Sequence, residues 1–333
     1  MIPSSLDDLF KSFHDLKVMV IGDVMVDAYL WGKVDRISPE APVPVISVTK
    51  REDRLGGAAN VALNVSAMGA QPIVCAIAGN DTKGKVLSEL LEKRGLSSEG
   101  IVHLVERPTT VKSRVISGHQ HIVRVDEEST RMLSTDEEEA FLSRTTEIVE
   151  KEKPDVIIFE DYNKGLLTEN VISQIIKLSS DKGIPTAVDP KKVNFFSYKG
   201  VTLYKPNLKE LKEGLKVDFD KKDQRGLREA VEQLESQLNN RISLITLSEE
   251  GVYVKEGDQD DRIPAHIRKI SDVSGAGDTV ISVAALCLAR KTSPKFMAAL
   301  ANLAGGLVCE KVGVVPIDPE QLLEEAKLHL TQL

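Results

Sequence analysis

The chain is nearly without cysteine: Cys75, Cys287 and Cys309 are its only three in 333 residues, far apart and each in apolar surroundings, with no C-x-x-C spacing. A disulfide framework and a zinc cluster are thereby excluded, and the three read as core residues of a reducing compartment. Blocks of positive charge are missing too. No Lys/Arg run exceeds a pair, and 43 basic against 51 acidic side chains leave a formal net charge of −8. That balance excludes nucleic acid and anionic membrane as principal partners, so any phosphate must be held locally. Apolar length is short as well: the uncharged run Phe296–Cys309 has 14 residues and two glycines, against ~20 for a spanning helix. Asp7, Asp8 and Lys11 stand where a cleavable leader would carry an apolar core, and the expectation is a cytoplasmic protein. With no internal repeat and no low-complexity linker, one domain over residues 1–333 is expected.

What the chain does contain is a rhythm. Apolar runs at Val18–Gly22, Ile73–Gly79, Val156–Glu160, Thr186–Asp189, Val201–Tyr204 and Ser243–Leu247 read as strands buried on both faces. Amphipathic stretches at Ala58–Met68, Lys83–Arg94, Glu137–Lys151, Thr168–Asp181, Asp223–Asn239 and Asp278–Ala289 read as helices between them. This predicts an α/β fold, a mostly parallel central sheet flanked by helices, with ligands beyond the carboxyl ends of the strands. Residues 33–55 and 101–126 break the rhythm, being β-branched and punctuated by proline. They are expected to form short antiparallel strands outside the main sheet, a small β lid.

One motif invites a rival function. Gly79–Val86 reads GNDTKGKV, a fit to G-x-x-x-x-G-K after a strand, and Val156–Asp161 imitates the acidic strand that accompanies a P-loop. The following position, however, is Val86, and an aliphatic side chain cannot supply the hydroxyl that magnesium needs there. A plain strand-turn-helix explains the same residues.

A second constellation carries more chemistry. In DVSGAGDT, 272–279, the small residues Gly275, Ala276 and Gly277 let backbone N–H groups converge on an anion at a helix N-terminus. Asp278 follows at once, either as a cap or as a base that takes a proton from an attacking hydroxyl. LGGAANVALNVSAMGA, 55–70, combines the Gly56–Gly57 pair with Asn60 and Asn64 at i, i+4, amides suited to sugar hydroxyls, although Asn60 could equally cap the helix. Asp23 and Asp27 lie just past the first strand. Asn207 and Glu210 have the spacing of a capping box and also of groups that order the waters of a nucleotide-bound Mg²⁺.

GGAANVALNVSAMGA at 56–70 and DVSGAGDT at 272–279, with NLKE at 207–210 between them, resemble the two signatures and the N-x-x-E motif of the ribokinase-like (PfkB) sugar kinases. The likeness covers essentially the whole chain. VMVIGDVMVDAYLWG (18–32), RISPEAPVPV (36–45), EDYNKG (160–165), VDPK (188–191) and KPNLKE (205–210) are similar to the kinase domain of the enzymes that prepare ADP-heptose for lipopolysaccharide. What the resemblance implies is a ribokinase-like fold and phosphorylation of D-glycero-D-manno-heptose 7-phosphate at its anomeric hydroxyl, with ATP, Mg²⁺ and, as a candidate, K⁺. Asp278 is implied as catalytic base, Gly275, Ala276 and Gly277 as anion hole, and Asp27, Gly56, Gly57 and Asn60 as sugar contacts. Lys112, Arg114 and Arg124 are implied for the sugar or its 7-phosphate, unless they are edge-strand charge that deters aggregation. Asp161, Lys164, Asp189 and Lys191 are implied beside the sugar; Asn207, Glu210, Ser248 and Gly251 beside the nucleotide, Glu210 reaching the metal through water. Ser274 stands where relatives often have Thr, and Glu160 where they often have Ser. A homodimer is implied. Bifunctional relatives carry an H-x-G-H nucleotidyltransferase; here only His119-Gln120-His121 comes near, so the kinase step alone is expected, with a separate nucleotidyltransferase. A non-catalytic sugar or nucleotide sensor on the same fold is the remaining alternative.

Overall fold

The computed structural model describes residues 5–118 and 120–330, so His119 lies outside the described residues. The chain opens with α1 (Leu6–Phe13), β1 (Lys17–Gly22), β2 (Val24–Ile37), β3 (Pro44–Gly57), α2 (Ala58–Ala67), β4 (Gln71–Gly79), α3 (Thr82–Lys93) and β5 (Ile101–Leu104). It continues through β6 (Val111–Ser117), β7 (Gln120–Glu127), α4 (Thr135–Glu152), β8 (Val156–Glu160), α5 (Glu169–Lys182), β9 (Thr186–Asp189), β10 (Leu203–Tyr204) and α6 (Leu208–Leu215). The last stretch holds α7 (Gln224–Leu238), β11 (Ile242–Thr246), β12 (Val252–Glu256), β13 (Gln259–Ile263), α8 (Ala276–Ala289), α9 (Pro294–Val308) and α10 (Pro319–His329).

Nine strands form the main sheet in the order β13-β12-β11-β10-β9-β8-β1-β4-β5. The pairs β11–β12 and β12–β13 are antiparallel; every other neighbouring pair is parallel. Alternation within β1 shows why the runs are continuously apolar: Val18 and Val20 pack into a core with α2, α8 and α9, while Met19 and Ile21 pack into another with α4, α5 and α7. Both faces are covered, so both parities must be hydrophobic. α8 is buried from Asp278 to Leu288. All three cysteines are buried and free. No helix among the described residues is long and apolar enough to cross a membrane.

A second sheet, β3-β2-β6-β7, begins one residue after β1 ends. It differs from the expected lid in two respects. β2 and β6 run parallel, and Ile101–Leu104 pairs with β4 at the edge of the main sheet. The expectation of antiparallel strands throughout 101–126 is corrected accordingly: Ile101 and Leu104 face the covered core, whereas the second sheet begins at Val111.

The P-loop geometry does not form. After Gly79 only Asn80 and Asp81 precede α3, too short a loop to wrap a phosphate. Asp81 itself occupies the helix N-terminus, its carboxylate accepting from Gly84 N at 2.7 Å and Thr109 N at 2.8 Å. A negative side chain already fills the place where an anion would sit.

Candidate active site

The carboxyl ends of β8, β9, β10 and β11 open on a cavity at the N-terminus of α8. Gly275 adopts φ 80°, a conformation that L side chains rarely take. A Cβ at position 277 would lie 3.4 Å from Asp189 Oδ2 and 3.8 Å from Lys205 Nζ. The small residues therefore leave the first N–H groups of a 14-residue helix open toward a cavity of about 860 Å³. Asn207, Ser248 and Gly251 line the same cavity.

Asp278 stands on this wall and is buried. Its Oδ2 accepts from Asn60 Nδ2 at 2.6 Å, and its Oδ1 from the Tyr162 hydroxyl at 2.9 Å. Burial raises its pKa above the usual carboxylate value, Asp189 adds to that, and the two donors oppose it. A carboxylate so held keeps free lone pairs and an elevated proton affinity, which is the requirement on a general base. It is not a helix cap, since it lies inside α8 and Gly275 is the cap.

Below Asp278 lies a network of charges. Asp189 meets Lys205 at 2.7 Å and Lys191 at 3.2 Å, and Lys191 meets Glu210 at 2.8 Å. Burial alone would push Asp189 up, but the two ammonium groups outweigh it and hold it down. Asn207 and Glu210 do form a capping box on α6, with Asn207 N donating to Glu210 Oε2 at 2.9 Å. Both Glu210 oxygens are thus engaged, by Lys191 and by Asn207 N.

On the side of the second sheet, Asp27 pairs with Arg114. Gly56 and Gly57 give clearance: a Cβ would fall 2.5 Å from Asp27 Oδ2 at the first and 2.2 Å from the Asp23 carbonyl at the second, where φ is 62°. Lys112 is paired with Asp126 and Glu128, Lys164 with Glu128, and Arg124 with Asp126. Each cation implied for the sugar phosphate is already matched by a carboxylate, and Arg124 is the most exposed of them.

Two expectations are corrected. Asp161 is buried on the opposite face of the sheet, one oxygen accepting from Asn163 N and the other from Asn194 and Tyr198. Its role is to fix the loop after β8, and it is not placed to touch a sugar. Asn64 is also internal: its Oδ1 accepts from Thr279 and from Ile317 N, and its amide donates to the Asn60 carbonyl. Sequence reasoning passed over Tyr162, Lys205 and Arg54. The KPN and EDYN motifs contained the first two, but their contacts lie at strand ends far away in sequence; Arg54 stacks on Tyr29, its guanidinium carbon 4.7 Å from the ring centroid.

Residues 15–321 match the family described as pfkB family carbohydrate kinase. The chain is 40% identical over 313 residues to "Bifunctional protein HldE" of Desulfatibacillum aliphaticivorans, covering 93% of this chain and 63% of that protein. It is 38% identical over 322 residues to the HldE of Sulfurimonas denitrificans, covering 96% and 66%. The chain thus spans just under two thirds of the length of these curated relatives. Among solved structures it resembles phosphofructokinase-2 from Escherichia coli in complex with fructose-6-phosphate, with TM-score 0.75, 17% identity and coverage of 94% and 99%. It also resembles Arabidopsis thaliana ribokinase complexed with ribose and ATP, with TM-score 0.70, 17% identity and coverage of 93% and 99%. At that identity the structures speak for the fold, which is ribokinase-like.

Proposed function

The chain belongs to the pfkB family of carbohydrate kinases, and we propose that within it the substrate is D-glycero-D-manno-heptose 7-phosphate, phosphorylated at the anomeric C1 hydroxyl. The product would be the 1,7-bisphosphate used for ADP-heptose and the lipopolysaccharide core. The observation that carries the heptose assignment is the 38–40% identity to proteins named HldE over more than nine tenths of the chain.

In this reading Asp278 accepts the C1 proton as the hydroxyl attacks the γ-phosphorus of MgATP. Asn60 and Tyr162 hold the carboxylate, and the N–H groups of Gly275, Ala276 and Gly277 stabilise charge on the equatorial oxygens. Magnesium arrives with the nucleotide, and Asn207 and Glu210 are the residues that would order its waters. Asp27 would contact the sugar, with Arg114 beside it, and the second sheet would cover the site against water. The kinase step is proposed for this chain, in the cytoplasm, with K⁺ as a candidate activator.

The test is ADP release by the purified protein with MgATP and one of four additions: the heptose 7-phosphate, ribose, fructose 6-phosphate, or no sugar. Turnover confined to the heptose phosphate supports the assignment. Turnover of another sugar would replace the substrate, and binding without ADP release would make the chain a sensor. Repeating the assay with K⁺ exchanged for tetramethylammonium decides the monovalent cation.

A further inference from the structure

The loop between β8 and α5 brings Tyr162 to the reaction centre, its hydroxyl donating to Asp278 Oδ1 at 2.9 Å. The backbone of that loop is held from outside α8. Asp23 Oδ2, at the junction of the two sheets, accepts from Tyr162 N at 2.9 Å and Lys164 N at 3.0 Å. Arg107 is buried without a carboxylate partner and donates to the carbonyls of Lys164 and Arg131. The Lys164 ammonium meets Glu128 Oε1 at 2.7 Å, and Glu128 Oε2 meets Lys112 at 3.1 Å. Lys112 belongs to β6, and Glu128 directly follows β7. A continuous set of polar contacts therefore runs from the second sheet to the oxygen of the base.

We propose that Tyr162 is the positioning residue of Asp278 and that the second sheet sets its position through Lys112, Glu128 and Lys164, so that movement of the sheet over the sugar reaches the base. The inference rests on Asp278 being the base in the reading above. Physically, a buried carboxylate with only two donors changes proton affinity when one is withdrawn, because the phenol stabilises its charged form. Lys112 and Glu128 both belong to the second sheet and its margin and move with it, so displacing the sheet breaks the Glu128–Lys164 contact, a pair largely out of solvent at 14% and 24% exposed.

The experiment compares Tyr162→Phe, Glu128→Gln and the double variant, using whichever sugar releases ADP. Tyr162→Phe is expected to lower kcat ~10-fold near pH 7, to leave KM for MgATP within about twofold, and to move the acid limb of the kcat profile to higher pH. Glu128→Gln should give part of the same signature, and the double variant should be no slower than Tyr162→Phe. An acid limb that does not move overturns the positioning role; effects that multiply overturn the coupling. Hydrogen–deuterium exchange of the Tyr162–Gly165 amides needs no sugar and no folded Tyr162 variant: it should quicken in Glu128→Gln, and unchanged exchange refutes the link to the second sheet. If no sugar is turned over at all, the heptose assignment fails while the exchange result still decides the coupling.

Discussion

Asp278 and Glu160 are buried carboxyls a short distance apart, and their surroundings divide their roles. Asp278 has two donors. Among the described residues neither oxygen of Glu160 has a hydrogen-bond partner, and burial, then Asp189 and Asp278, push its pKa well up. Asp278→Asn should keep the fold and lower kcat ~10²–10⁴-fold, the usual worth of a general base; ADP release and the thermal midpoint, measured together, check both halves. Asp23 gives a prediction on stability. Burial first, then the charge of Asp161, raise its pKa from 3.8 to about 6. Because the folded value is the higher one, its contribution is fully present below about pH 4 and is lost as pH rises through 6, a swing on the order of 3 kcal/mol. Asp23→Asn keeps an acceptor for the two loop N–H groups, so the variant should melt higher than the parent at pH 8 and lose the slope between pH 4 and 7. Parallel melting profiles would count against it. Parity explains what the residue-level reading missed. Glu160 continues the Val156 and Ile158 side toward α8, and Asp161 continues the Ile157 and Phe159 side toward Tyr198. In a strand covered on both faces, no hydrophobic alternation marks which acid faces the site.

At the scale of elements, legibility followed burial. β8 and β9 have the boundaries their apolar runs predict, and α2, α3, α4, α5, α7 and α8 lie within two residues of theirs. β12 and β13 escaped notice because they are an antiparallel edge, and β13, QDDRI, carries no apolar signal until its last residue. α9 hid inside an uncharged run: buried almost all round, it shows no amphipathic period. α3 is where pattern and structure part most sharply, and the difference can be measured. Asp81 satisfies the first turn of α3 and also holds Thr109 through its N–H and hydroxyl. Asp81→Ala should therefore cost ~1–2 kcal/mol in denaturant unfolding, while Lys85→Ala should leave ADP release within about twofold. A large loss of turnover in Lys85→Ala would restore the P-loop against the geometry.

At the scale of the whole molecule, the second sheet has two unlike faces. Asp27, Lys112 and Asp126 stand in register across three strands, as do Tyr29, Arg114 and Arg124, and these form one polar face. The intervening parity is apolar toward β7, where Leu30, Val115 and Val123 are in register with Val125 two residues on, and charged toward β3, where the same rows carry Arg51 and Asp53. Val123 and Val125 are 50% and 48% exposed, and Val48 on β3 is 42% exposed. Isolated exposed valines need no explanation, but an apolar sheet face with two open edges is an aggregation hazard unless something covers it. Of the two edge strands, β3 carries Pro44 and Lys50, whereas β7 contains no proline and no lysine and is the less protected edge. We propose that a second copy of this chain covers it, in keeping with the homodimer the family resemblance implies. Light scattering should then give twice the 36.5 kDa chain mass, and Val123→Glu combined with Val125→Glu should return it to the single-chain value with an unchanged circular dichroism spectrum. Because the substituted side chains lie on the face away from Asp27 and Arg114, loss of sugar turnover in that variant would show that the second sheet holds its closed position only when two chains support it; a parent protein of single-chain mass would refute the dimer outright.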